Sequence, residues 1–161
     1  MSSPSSTTTD RADGAGVDRL WDTHVGTDLA FLLARTNAMS LAGANAALAP
    51  FGLKVRSYSV LALAASGVRP TQRELSDFLR LDPSQIVSLI DELGARDLVR
   101  REPDPNDRRV NVVVATAAGI ELHERARRGA AQAERDSFAG LTAPQRERFA
   151  ALLRALATDA L

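Results

Sequence analysis

The chain has no cysteine among its 161 residues. Disulfides, thiolate metal sites and thiol-based redox sensing are therefore excluded. Histidine is nearly as scarce: His24 and His123 stand far apart in the chain. Neither a metal site nor a cofactor is expected from them. A long apolar run is also missing. The longest charge-free segment, Thr36 to Leu53, contains Pro50, two glycines and two asparagines, which argues against a membrane span. The N-terminal MSSPSSTTTDRADGAG has no basic-then-apolar pattern of a signal peptide, so a cytoplasmic protein with a disordered Ser/Thr tail over residues 1–16 is expected. There is no nucleophile–base pair, glycine-rich phosphate loop or carboxylate pair at functional spacing. An enzyme is not expected.

Net charge is missing too. Twenty basic residues cancel twenty acidic ones, so bulk charge argues neither for nor against a nucleic-acid partner. Its distribution says more. No acid occurs from Leu29 to Arg73, while Arg35, Lys54, Arg56, Arg69 and Arg73 all fall there. That segregation is compatible with one basic face.

Aromatic residues make up only 4 %, and alanine is abundant, which favours helices. Leu20, Trp21, Val25, Leu29, Leu32 and Leu33 recur at helical spacing and predict one long helix over 17–48, bent at Gly43 and ended before Pro50. Trp21, Phe31 and Tyr58 read as core. A second helix is expected over 55–65. Thr71 and Glu74 then form a capping box opening a short helix to about Arg80. Asp82, Pro83 and Gln85 repeat the device for a helix to about Arg96. Leu98 to Glu102 and Val110 to Ala115 are strand-like runs joined by PDPND, a β-hairpin. Thr116 caps a long helix to about Phe138, and TAPQ at 142–145 caps a last one to about Thr158.

Two capped helices joined by a short turn make a helix-turn-helix, and a hairpin directly after it makes a wing. In the second of the two helices Ile86, Leu89, Ile90 and Leu93 share an inward face. Ser84, Gln85 and Ser88 are left outside near the helix start, where a DNA-reading helix meets base edges. Gln85 serves equally well as a capping side chain. Arg108 and Arg109 stand at the wing tip, where an arginine can enter the minor groove. Alone, Asp107 and Arg109 would also suit a turn-stabilising pair. Thr71, Arg69, Arg73, Arg100 and Arg101 complete the candidate DNA-binding set, the arginines as phosphate contacts.

These stretches resemble the MarR family of bacterial regulators (multiple antibiotic resistance regulators). The resemblance rests on FGLKVRSYSVLALA, on TQRELSDFLRLDPSQIVSLIDELGARDLVRRE and above all on the wing, DPNDRRVNVVVATAAG. The family's wing pattern falls on Asp107, Arg109, Thr116 and Gly119, with Ala115 where leucine is usual. It implies that Asp107 orients Arg109 and that Arg109 is the minor-groove arginine. Asp97 stands where glycine is usual at the end of the reading helix. Ser88 replaces the longer reader of many relatives, so no operator sequence is transferable.

The fold expected is mainly α with a small β-hairpin wing. Its parts are an N-terminal dimerisation helix (17–48), a winged helix-turn-helix (53–116) and C-terminal dimerisation helices (117–161). The resemblance implies a homodimer with interlocked terminal helices, bound to double-stranded DNA at a palindromic operator. It also implies a small, aromatic or anionic effector, for which Arg35, Arg56, Ser57 and Tyr58 are candidate contacts. A winged-helix module for protein–protein interaction is the alternative, separable by salt-sensitive DNA binding.

Overall fold

The computed structural model describes residues 12–158. In chain order these form α1 (Ala12–Trp21), a 3-10 turn (His24–Thr27), α2 (Leu29–Leu48), a second 3-10 turn (Ala49–Phe51), α3 (Val55–Ala65), α4 (Gln72–Leu79), α5 (Pro83–Ala95), β1 (Val99–Pro103), β2 (Asn111–Ala115), α6 (Ala117–Ser137) and α7 (Ala143–Thr158). The two strands pair antiparallel, Val99 opposite Ala115 and Pro103 opposite Asn111. No helix among the described residues is long and apolar enough to cross a membrane. Contacts divide the chain into two compact units, Met1–Met39 and Ser40–Leu161.

The single long helix expected over 17–48 is two helices. The Thr23 and Thr27 hydroxyls donate to the carbonyls of Leu20 and His24, which draws the backbone out of the helical ladder. At Gly26 a Cβ would overlap the carbonyl oxygen of Trp21, so the tight turn needs glycine. Asp28 then starts α2 by accepting a 2.8 Å hydrogen bond from the Phe31 amide. Apolar spacing runs straight through this break and hides it. Beyond it, α2 is continuous past Gly43. The tail expected over 1–16 lies outside the described residues as far as residue 11, and residues 12–16 are helical in α1. In the first unit Trp21 and Phe31 are not core residues. They are 42 % and 38 % exposed and meet edge to face at 6.4 Å.

The second unit holds the core. Leu48, Val60, Leu61, Leu75, Ile86, Ile90, Leu93 and Val113 are buried together, drawn from α2, α3, α4, α5 and β2. Each such side chain contributes roughly 1.5–3 kcal/mol relative to staying exposed. The anchors in α5 are the inward residues read from its periodicity, with Leu89 only half-buried at the edge. Helix α5 ends in a Schellman motif: the Leu98 amide donates to the Leu93 carbonyl and the Asp97 amide to Gly94. Asp97 takes the left-handed conformation (φ 54°) that glycine usually fills.

Candidate nucleic-acid interface

Both helix starts in the helix-turn-helix are built by local sequence. The Thr71 amide donates to Glu74 Oε2 at 2.7 Å, and the Glu74 amide returns a 3.1 Å bond to Thr71 Oγ1. The Thr71 amide, followed by its hydroxyl, which donates to Glu74 Oε2 at 2.8 Å, holds the Glu74 carboxyl below its ordinary pKa. At α5 Pro83 occupies the first turn, and the Asp82 amide reaches Gln85 Oε1 at 3.4 Å. Gln85 thus spends its carbonyl oxygen on the cap and keeps its amide N–H groups for other partners. Ser84, Gln85 and Ser88 are all exposed.

The hairpin is rooted in the helix-turn-helix. The Val113 amide donates to the Pro70 carbonyl at 2.8 Å, and Thr71 forms an antiparallel bridge with Val112. The residue that caps α4 therefore also seats the wing. At the tip, the Asp104 amide bonds the Val110 carbonyl and the Val110 amide bonds Asp107. Asp107 Oδ1 accepts from the Arg109 amide at 3.0 Å and from Arg109 Nε at 3.1 Å. The Arg109 side chain is otherwise in water, 91 % exposed, and Arg108 is exposed without an ion pair among the described residues.

The Arg109 backbone amide, followed by its guanidinium, lowers the Asp107 pKa from the ordinary aspartate value. The sign follows from linkage. A depressed carboxyl stabilises the turn at all pH above the unfolded value and loses that contribution as pH falls through the lower folded one. NMR titration of the Asp107 carboxyl should show this lowering, and in Arg109→Ala the pKa should rise only part of the way back. The larger, backbone contribution survives that substitution. Full return to the ordinary value would mean the side chain alone holds Asp107.

The candidate phosphate contacts are less free than their sequence suggests. Glu102 receives both Arg69 (2.8 Å) and Arg100 (2.6 Å), and these two hold its carboxyl below its ordinary pKa, Arg100 first. Arg69 sits at a positive φ of 56°, and its Nε is buried without a hydrogen-bond partner. Arg101 pairs with Asp91 of α5 at 2.8 Å. Arg73 lies 3.8 Å from Asp77 and is almost wholly in water.

Of the candidate effector contacts, Arg56 and Ser57 line a cleft of about 850 Å³ together with Asn45, Lys54, Leu89 and Glu92. Ser57 is buried and bonded to Lys54 in its own helix start. Tyr58 does not line the cleft; its ring stacks on His123 at 5.7 Å, and burial raises its pKa. Arg35 lies in the first unit with its guanidinium over Trp21, 5.2 Å from the ring centre. Two contributors escaped sequence reading. Asn45 accepts from the Val55 amide at 2.9 Å and so fixes the start of α3 beside the cleft. Arg96 donates to the carbonyls of Gly52 (2.7 Å) and Phe51 (2.8 Å). Asn45 lies ten residues from its partner and Arg96 more than forty, beyond any local pattern.

Comparison with known proteins agrees with this geometry. The MarR family model matches residues 51–110, from the cleft loop to the wing tip. The crystal structure of CouR from Rhodococcus jostii RHA1, bound to p-coumaroyl-CoA, is 41 % identical and superposes with a TM-score of 0.77, covering 84 % of this chain and 96 % of that one. A MarR-family transcriptional regulator from Rhodococcus sp. RHA1 is 38 % identical with a TM-score of 0.78, over 84 % of this chain and 98 % of its own. The chain belongs to the MarR family. Among curated relatives, the HTH-type transcriptional repressor Rv2887 of Mycobacterium tuberculosis is 28 % identical over 81 % of this chain and 94 % of its own length.

The MarR wing pattern has a packing reason in its second half. Thr116 Oγ1 donates to the Asp97 carbonyl at 2.6 Å and accepts from the Gly119 amide at 3.0 Å. Its amide donates to Leu98. One buried residue thus closes α5, seats β2 and starts α6. Gly119 lets α6 press against that junction, since a Cβ there would overlap the Leu98 carbonyl oxygen.

Proposed function

We propose that this protein is a cytoplasmic, DNA-binding transcriptional repressor that binds a palindromic operator as a homodimer and is released by a small aromatic or anionic ligand. Residues 53–116 would read DNA, with 17–48 and 117–161 joining the subunits. The observation that carries the reading is the set of exposed side chains at the start of α5, held on one buried core with an arginine-tipped hairpin. Ser84, Gln85 and Ser88 suit base edges in the major groove, and Arg109 suits the narrow, negative minor groove beside it. Dimerisation is supported by apolar surface left in water: Leu20, Leu29 and Leu33 in the first unit, Leu152 and Leu156 in α7. Ligand release is supported by the cleft carrying Lys54 and Arg56 beside Leu89 and Glu92 of α5, and by the acyl-CoA bound to CouR.

Selection from a random duplex library by the purified chain tests this. The expected product is a palindrome whose half-sites lie about one DNA turn apart, ~34 Å. The complex should have the mass of two chains, loosen steeply with salt, and release DNA on addition of p-coumaroyl-CoA as the first probe. Absence of salt-sensitive binding to any duplex would favour the protein-interaction module instead. A folded monomer in sedimentation would remove the palindrome.

A further inference from the structure

One ion pair at the wing root sits where DNA would be read. Asp91 follows Ser84 and Ser88 by seven and three residues, so the three share a face of α5, opposite buried Ile86, Ile90 and Leu93. A bare carboxylate on a face offered to a polyanion repels it. Arg101 reaches across from β1 and places Nη2 2.8 Å from Asp91 Oδ1. The two side chains are 36 % and 59 % exposed, so the pair adds little to folding. Its arithmetic differs from that at Glu102, where two arginines meet one acid and positive charge remains.

We propose that Arg101 acts by cancelling the charge of Asp91 on the reading face, and not by contacting phosphate; this rests on the DNA-binding reading above. The pair presents a neutral surface between the reading helix and the wing. Removing either half upsets that balance in opposite directions, and removing both restores it.

The test uses the full chain and one duplex that the parent selects, with affinity measured across a range of salt concentrations. Asp91→Asn should bind more tightly, with a steeper salt dependence, because Arg101 is left with net charge. Arg101→Gln should bind more weakly. The ratio of each variant's affinity to the parent's should shift by up to roughly eightfold between salt concentrations tenfold apart, the slope of one charge. The double variant should return to within about twofold of the parent, because the two opposite charge effects sum to nearly zero. Thermal melts of all four proteins should coincide.

If the double variant stays as weak as Arg101→Gln, Arg101 is a phosphate ligand and the proposal is overturned. If both single variants weaken binding, or melt early, the pair is a mechanical brace and the proposal is equally overturned. Failure of the DNA-binding reading itself would be seen before any substitution, as a parent that selects no duplex.

Discussion

Gly119→Ala should unfold at a clearly lower temperature than the parent. The added methyl has no room, because it points at the Leu98 backbone oxygen and not at a side chain that can rotate away. To admit it, α6 must back off from the junction where Thr116 bonds Asp97, Leu98 and Gly119. Overpacking of this kind costs about 1–3 kcal/mol, and loosening a buried threonine cap adds about 1 kcal/mol. At about 2–4 °C per kcal/mol for a chain of this size, the midpoint should drop by roughly 5–15 °C. Gly140→Ala is the control, since nothing lies within 4 Å of its would-be Cβ. Thermal and urea unfolding by circular dichroism decide the matter, and equal midpoints for the two variants would refute the tight junction.

Arg109→Ala should leave stability alone and damage DNA binding. Its guanidinium is 91 % exposed and bonds only Asp107, so little folding energy is at stake. On the selected operator the loss should be about 1–3 kcal/mol, the scale of a good base contact. It should be largest where A·T-rich flanks narrow the minor groove, and the salt dependence should fall by about one phosphate equivalent. Arg109→Lys keeps the charge and should keep the salt dependence, but it loses the planar fork that Asp107 aims. Asp107→Ala should act in the same direction as Arg109→Ala, since it frees both the Arg109 amide and the guanidinium. Fluorescence anisotropy across several salt concentrations separates these cases. Parent-like affinity for Arg109→Ala would reduce the wing tip to a solvated turn.

From Thr71 onward the local helix-start signals were legible. Thr71 with Glu74, Pro83 after Asp82, and Thr116 with Gly119 act over three residues or fewer, and each marks a helix start where the structure has one. The α5 core face followed from a period that burial enforces. The break between α1 and α2 was not legible from that period, because Leu20, Trp21, Val25 and Leu29 keep helical spacing while Gly26 and two threonine hydroxyls undo the helix beneath them. The wing-root arginines were visible as charges, but their carboxylate partners were not. Arg69 finds Glu102 from thirty-three residues away and Arg101 finds Asp91 from ten, both across elements that only folding brings together. The cleft is of the same kind, its lining drawn from α2, the loop after it, α3 and α5.

Arg96 stands just past the end of α5 and grips two consecutive carbonyls of the loop that edges the cleft. A guanidinium is flat and stiff, so two parallel bonds to one loop transmit push and pull while allowing little shear. The loop and α5 are in effect riveted at one end. Any force on Gly52 is therefore borne by the C-terminal end of α5, the end remote from Ser84 and Gln85.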